Sequence, residues 1–252
     1  MPAMEALRSI LLTGPAGTGK TTRCIRWFRE QLLDSPYSGL FCPAYFVLPS
    51  KEHSERIHSL FLRDPGFRGL ANLHVVSMGG FIRMKSAFEE SRVLTRFERY
   101  RIIESLLTSR SWSFWEEVKD TAGLAEILSD WIREVKQTTF RRGHWASALK
   151  ALSVRQKTDA ARFADMDRLL KLYDERVRAL GLIDPEAETF RFARRVGRAR
   201  AAALSDLVIL DGFFSFTPAQ LEFVRSVARN SQRTIVTLTL DASGNRSDVF
   251  GY

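Results

Sequence analysis

A glycine-rich segment near the start of the chain constrains the fold more than any other feature of the sequence. Residues 14–22 read GPAGTGKTT; they follow the short run Ser9–Thr13 and precede a helical pattern at Thr22–Leu33. An apolar run, a glycine-rich loop and a helix in this order predict a parallel strand that is followed by a helix. Four further runs predict the other buried strands of the same parallel sheet. They are Tyr45–Leu48, Leu73–Ser77, Leu207–Asp211 and Thr234–Leu240.

The chain between the third and the fourth of these strands has a different pattern. Apolar residues recur at helical spacing in residues 123–136 and 159–181, and Gly181 is predicted to end the second helix. We therefore predict an α/β fold in which a discontinuous sheet domain, residues 1–85 and 204–252, is interrupted by an all-helical insertion, residues 86–203.

The glycine-rich segment also predicts a ligand. Its glycines let the backbone fold around a phosphate group, and the helix N-terminus adds positive potential. Lys20 would contact the outer phosphates of ATP, while Thr21 and Asp211 would hold the Mg²⁺ ion. The predicted ATP-binding residues are Gly14, Pro15, Ala16, Gly17, Thr18, Gly19, Lys20, Thr21 and Thr22.

A small-molecule kinase is one class of protein in which such a phosphate loop occurs. The basic segment at 194–200 could supply the arginines that a kinase lid needs. Against this, Asp211 lies 191 positions after Lys20. In simple kinases with a phosphate loop, the loop lysine and the Mg²⁺-binding aspartate are much closer in the sequence.

Composition indicates the kind of partner and the compartment. The formal net charge is +9, which favours a polyanion, although solvated arginine-rich helices would give the same value. Two cysteines are too few for a disulfide scaffold, and we find no apolar run long enough for a membrane span. We expect a cytoplasmic protein that does not associate with membranes.

The segment that starts at Asp211 resembles a known family. Its ten residues read DGFFSFTPAQ, where superfamily 1 helicases of the UvrD/Rep/RecB type have approximately DEFQDTNPAQ. The segment is still more similar to that of the AddB/RexB-type B subunit of bacterial ATP-dependent helicase–nucleases. The resemblance implies a RecA-like P-loop sheet (motor domain 1A) with a helical insertion (1B). Gly212 stands where the helicases have their catalytic Glu, and Phe214 stands where they have a nucleotide-sensing Gln.

The same resemblance implies a function. The chain would be the N-terminal region of a longer subunit that pairs with a catalytic A-type helicase–nuclease subunit in recombinational double-strand break repair. It would bind single-stranded or double-stranded DNA through Pro49, Ser50 and Lys51, and through Ser77 and Met78. Without the catalytic Glu it would bind ATP with little or no hydrolysis, and no residue is predicted to be catalytic. An active superfamily 1 helicase is the alternative.

Aromatic side chains in two regions leave a choice between packing and base stacking. For Phe213, Phe214 and Phe216 we favour packing of the following helix against the sheet. For Trp112, Trp115 and Trp145 in the insertion, a buried core and a DNA-facing surface explain the residues equally well.

Overall fold

A computed structural model gives the structure of the chain over residues 8–34, 44–65, 73–86, 92–138, 160–198 and 204–240. The chain forms two compact units. The sheet unit comprises Met1–Ala87, Arg191–Phe216 and Leu221–Tyr252. The helical unit comprises Phe88–Phe190, together with Thr217–Gln220.

Strands and helices alternate through most of the sheet unit. In chain order the strands are β1 (Ser9–Gly14), β2 (Ala44–Leu48), β3 (Val75–Ser77), β4 (Arg92–Val93), β5 (Leu182–Ile183), β6 (Leu207–Phe213) and β7 (Arg233–Thr239). The helices are α1 (Lys20–Asp34), α2 (Lys51–Leu62), α3 (Met78–Lys85), α4 (Arg96–Thr108), α5 (Ala122–Thr138), α6 (Ala160–Ala179), α7 (Pro185–Arg198) and α8 (Pro218–Asn230). Within the described ranges, no helix combines the length and the apolar character needed to cross a membrane.

The sheet unit is built on five parallel strands in the order β1-β7-β6-β2-β3. The five apolar runs of the sequence are these five strands, so the predicted α/β class and parallel sheet are confirmed. All five residues of β2 are buried, whereas residues of β1 at the sheet edge alternate between exposed and half-buried. Parallel strands place their carboxyl ends along one edge, and the loops at that edge carry the predicted site residues.

Each face of this sheet has its own hydrophobic core. On one face, Phe28 of α1 packs edge-on against Phe46 of β2 and Phe61 of α2. On the other face, Phe81 of α3 packs edge-on against Phe192 of α7 and Phe223 of α8. Coverage of both faces is what a parallel sheet requires, because its strands are apolar on both sides.

Helices α4, α5 and α6 form the core of the helical unit, and Tyr173 lies fully buried within it. The prediction of an all-helical insertion is wrong in one respect, since β4 and β5 form a short parallel ladder. Pairing of these two segments satisfies backbone groups beside α4, as in the bond from Leu94 N to Ile183 O of 2.8 Å. Gly181 has φ +65° and ends α6, as predicted.

The division between the units falls inside α7. Its first half belongs to the helical unit, and the half from Arg191 belongs to the sheet unit. The Ser226 hydroxyl donates to the carbonyl oxygen of Ala193 over 2.9 Å, and Arg195 donates to the Ser86 hydroxyl over 2.7 Å. These contacts attach the second half of α7 to the sheet unit, although the sequence pattern groups it with residues 86–203.

A buried ionic network crosses the helical unit. Arg99 Nη2 lies 3.3 Å from Asp184 Oδ1 and 2.8 Å from Glu186 Oε2. The Tyr173 hydroxyl donates to Asp184 Oδ1 over 2.5 Å, and Lys136 Nζ lies 3.3 Å from Asp184 Oδ2. Burial, followed by the Asp184 carboxylate, raises the pKa of Tyr173. The network therefore joins α4, α5 and α6 to the start of α7, and the Asp184 carboxylate contacts a side chain from each of the three helices.

Candidate functional site

The glycine-rich loop connects β1 to α1 with a backbone that only glycine adopts easily. Gly17 has φ +80° and Gly19 has φ +78°, both in the left-handed region. A Cβ atom at either position would meet no atom within 4 Å. The requirement for glycine therefore comes from the backbone angle, and space remains open around the loop. Such a loop can bring successive N–H groups close to a phosphate.

Lys20 lies across this loop. Its Nζ donates to the carbonyl oxygens of Gly14 over 2.7 Å and Pro15 over 2.6 Å, and the Thr18 hydroxyl donates to the same Pro15 oxygen over 2.9 Å. The third donor of Nζ is directed at the Thr18 hydroxyl over 3.4 Å, the longest of the three contacts and the one that an anion would replace. The open loop, the held amine and the N-terminus of α1 all fit the phosphates of a nucleotide.

Asp211 lies on β6, a strand against which α1 packs. Its carboxylate is buried, and Thr237 of β7 donates a hydrogen bond to Oδ1 over 2.5 Å. Burial raises the pKa of the Cys24 thiol to about 12, and the Asp211 carboxylate adds to the shift. Thr21 lies on α1 and Asp211 on β6, so the two predicted Mg²⁺ ligands belong to elements that pack against each other in the sheet unit.

A β-bulge lies at Asp211–Gly212, where the resemblance to the helicases predicts a catalytic Glu at position 212. Leu210 pairs with Val236 and Phe213 pairs with Leu238, so two residues, Asp211 and Gly212, face Thr237 alone. Gly212 has φ +80°, and its N–H donates to the Thr237 hydroxyl over 3.3 Å. A Cβ atom at Gly212 would lie 3.6 Å from Pro49 Cδ, which is ordinary contact. The backbone angle, more than a lack of space, disfavours a side chain here.

Thr237 is the site residue that sequence reasoning missed. The available signal was a threonine in the middle of a run predicted to be a buried strand, where a hydroxyl needs a partner. Which partner it takes depends on the pairing of β6 with β7, and that pairing appears only in the fold.

The structure brings the two predicted DNA-binding loops together. Leu48 of β2 pairs with Ser77 of β3, so both loops begin at the same edge of the sheet. Ser50 caps α2 by accepting from His53 N over 3.3 Å, and Ser77 caps α3 by accepting from Gly80 N over 3.2 Å. Both hydroxyls thus have a structural role at helix starts.

The other three predicted DNA contacts differ in exposure. Pro49 is exposed, and the Lys51 side chain is 81% exposed, with its Nζ 3.3 Å from Glu55 Oε1. Met78 is buried, so its side chain packs in the core beside α3 and does not face solvent. Of the five residues, Lys51 therefore presents the one cationic side chain.

The aromatic residues after Asp211 separate into two kinds. Phe213 is buried and its ring centroid lies 5.0 Å from that of Phe216, so the packing prediction is confirmed for Phe213. Phe214 is 74% exposed, so the same prediction is wrong for it. Successive residues at a strand end point to opposite sides, which makes one of two neighbouring phenylalanines face outward.

Packing also explains the tryptophans of the insertion that the structure describes. Trp112 and Trp115 are buried, with ring centroids 5.4 Å apart, and Trp112 Nε1 donates to the carbonyl oxygen of Leu107 over 3.0 Å. Trp145 lies outside the described residues.

The start of α8 explains part of the resemblance in residues 211–220. Gln220 Oε1 accepts from Thr217 N over 2.9 Å, and the Thr217 hydroxyl accepts from Gln220 N over 3.3 Å. This reciprocal pair is a capping box, and Pro218 takes the first helical position, where proline is favoured. Pro218 and Gln220 therefore serve to start a helix.

Comparison with known proteins gives the family. The model of the family described as "ADDB, N-terminal" matches residues 11–250. The chain belongs to this family. Curated relatives include proteins named as the B subunit of an ATP-dependent helicase/deoxyribonuclease. The one from Desulforudis audaxviator (strain MP104C) is 29% identical over 97% of this chain, and the one from Pelotomaculum thermopropionicum (strain DSM 13744 / JCM 10971 / SI) is 26% identical over 91%. The chain spans about a fifth of the length of these relatives. The resemblance to the AddB-type protein is thus confirmed.

Proposed function

We propose that the chain is the helicase-like, ATP- and DNA-binding region of a helicase–nuclease B subunit, with little or no ATP hydrolysis of its own. The observation that carries this proposal is that the sheet unit has both a formed phosphate loop and a glycine bulge at Asp211–Gly212. The loop has its lysine held across it, whereas Gly212 has φ +80° and no side chain.

Nucleotide binding needs only groups that the sheet unit supplies. The amides of residues 14–22 would surround the phosphates, and Lys20 would contact the outer two. The Thr21 hydroxyl and the Asp211 carboxylate would hold Mg²⁺, whose charge joins the outer phosphates to the protein. ATP and Mg²⁺ are therefore the proposed cofactors.

Hydrolysis also needs a group that orients and deprotonates the attacking water. General-base catalysis contributes about 10²–10⁴-fold, so its absence at Gly212 leaves at most slow turnover. The bulge supports this view, because a Glu at position 212 would have to adopt a left-handed backbone.

The names of the relatives support a wider role. Their names describe a subunit of a helicase/deoxyribonuclease. We infer that this chain forms a RecA-like motor domain 1A (1–85 and 204–252) and an insertion 1B (86–203). The longer protein would pair with a catalytic A-type subunit, act on single-stranded or double-stranded DNA ends in the cytoplasm and serve double-strand break repair.

The two alternatives are not favoured. A small-molecule kinase has no support from the family match, and its Mg²⁺ ligand would not lie beyond an insertion of this size. An active superfamily 1 motor would need a carboxylate at position 212, where this chain has Gly212.

Calorimetric titration with Mg²⁺-ATP tests the proposal. Lys20→Ala removes a charged hydrogen-bond donor to the phosphates, so affinity should fall by about tenfold to a hundredfold. Arg26→Ala is the matched control, because Arg26 is exposed on the same helix and should leave affinity unchanged. Neither protein should hydrolyse ATP appreciably, with or without DNA. Strong DNA-stimulated hydrolysis that Lys20→Ala abolishes would instead establish an active motor.

A further inference from the structure

We propose that Thr237 is a positioning residue that fixes the Asp211 carboxylate for the metal ion of the bound nucleotide. This inference rests on the proposed function, in which the 14–22 loop binds Mg²⁺-ATP. Thr237 belongs to β7, the strand between β6 with its Asp211 and β1 with its phosphate loop. Its hydroxyl donates to Asp211 Oδ1 over 2.5 Å.

The Thr237 hydroxyl makes two hydrogen bonds of opposite direction. It donates to the Asp211 carboxylate and accepts from Gly212 N over 3.3 Å. The bulge leaves the Gly212 N–H without a regular ladder partner on β7, because residues 211 and 212 face a single residue. A hydroxyl is the smallest side-chain group that can serve a donor and an acceptor at once.

Burial makes this arrangement rigid. Thr237 and Asp211 are each 2% exposed, so water does not compete for the carboxylate at the Thr237 side. A carboxylate whose one oxygen is held by a short hydrogen bond loses its freedom to rotate. Its other oxygen then keeps a fixed direction, which is what a metal ion with strict octahedral geometry needs from a ligand. Thr237 thus acts on the metal only through Asp211.

The same strand offers a matched control. Thr234 is buried, 1% exposed, and its hydroxyl has no hydrogen-bond partner among the described residues. Thr234→Val therefore makes the same chemical change on the same strand at the same burial, away from Asp211. Any general effect of replacing a buried threonine on β7 should appear in both valine variants.

The test is calorimetric titration of the full 252-residue chain with a non-hydrolysable ATP analogue, in Mg²⁺ and again in EDTA. The measured quantity is the ratio of the two affinities, which isolates the contribution of the metal ion. Thr237→Val should lower this ratio by about tenfold, the usual effect of one hydrogen bond to a charged group. Affinity in EDTA should stay unchanged, and Thr237→Ser, which keeps the hydroxyl, should restore the ratio to within about twofold.

The possible outcomes separate this inference from the function on which it rests. An unchanged ratio in Thr237→Val, or an equal loss in Thr234→Val, overturns the positioning role while nucleotide binding stands. Failure of the wild-type chain to bind the analogue overturns the proposed function, and the positioning role with it. If thermal melting shows that Thr237→Val does not fold, Thr237→Cys takes its place in the comparison with the wild-type chain. The thiol is similar in size to the hydroxyl but is a weaker hydrogen-bond donor to Asp211.

Discussion

The two units of the molecule differ in net charge. Residues 88–190 contain 18 basic and 18 acidic side chains, whereas the rest of the chain contains 20 basic and 11 acidic ones. The whole net charge of +9 therefore belongs to the segments that form the sheet unit. A polyanion is attracted by this excess, and the neutral insertion contributes nothing to it at long range.

Within the units the charges also have different surroundings. In the helical unit Arg99 is buried and its Nη2 lies near two carboxylates, so its charge and theirs compensate each other within the unit. In the sheet unit Lys51 is exposed at the carboxyl edge, and its one ion pair with Glu55 lies at the surface. Exposed pairs are worth about 0–1 kcal/mol, so this lysine can exchange its partner for a phosphate at small cost. Under the proposed function, we expect charge to matter for stability in the helical unit and for DNA binding in the sheet unit.

The largest effect is expected where a charge is buried. Arg99→Met removes the cation between Asp184 and Glu186 and leaves two buried carboxylates without it, which should lower the free energy of unfolding by about 3–5 kcal/mol. Arg101→Met is the control, because its pair with Glu104 is exposed and should change stability by less than about 1 kcal/mol. Urea denaturation followed by circular dichroism measures both. Equal losses in the two variants would show that burial does not distinguish the charges of this unit.

A smaller effect is expected from two glycines, one in each unit. Gly212→Ala places a Cβ on a left-handed backbone and should cost about 1–2 kcal/mol, although the side chain has room. Gly123→Ala in α5 should instead stabilise by up to about 1 kcal/mol, because alanine favours helices and nothing lies within 4 Å. Urea denaturation should show opposite signs. If Gly212→Ala were neutral or stabilising, the left-handed backbone of the bulge would not explain why a side chain is absent at position 212.

Gly212→Glu extends the same comparison to catalysis. The new carboxylate would follow Asp211, as in the helicases, but on a strained backbone and beside Phe214 in place of the sensing Gln. Catalytic groups that act as a unit are strongly non-additive, so we expect little gain in ATP hydrolysis over the unmutated chain. A gain of about two orders of magnitude in a phosphate-release assay, the size of a general-base contribution, would show that the glycine is the sole defect.

The sequence predicted those features that depend on neighbouring residues. The five strands, the phosphate loop and Gly181 follow from local periodicity and from glycines at fixed spacing, and the structure confirms the strands and the helix end. The partnership of Thr237 with Asp211 joins residues 26 positions apart and depends on strand pairing, which the pattern does not contain. The two-residue strands β4 and β5 are too short to show alternation.

The contrast between Phe213 and Phe214 shows a further limit. Both are phenylalanines after the same aspartate, and composition treats them alike. The bulge at Asp211–Gly212 decides which of the two faces the core, since it shifts the register of β6 by one residue. The bulge thus determines whether an aromatic residue is buried or exposed. In the sequence, the only sign of this bulge is the glycine at position 212.

The smallest effect concerns a single surface charge at the proposed DNA edge. Lys51→Gln should weaken binding to single-stranded DNA a few-fold at low salt and lower the slope of log K against log salt by about 0.7, the value for one phosphate contact. Arg96→Gln is the control, because Arg96 is also an exposed, ion-paired cation but lies in the neutral unit, with its Nη2 3.4 Å from Glu126 Oε1 and 3.8 Å from Asp130 Oδ2. Fluorescence anisotropy at several salt concentrations measures both slopes. If charge serves binding in the sheet unit alone, only Lys51→Gln changes the slope. Equal changes would extend the DNA surface to the helical unit, and an unchanged slope in Lys51→Gln would remove this lysine from it.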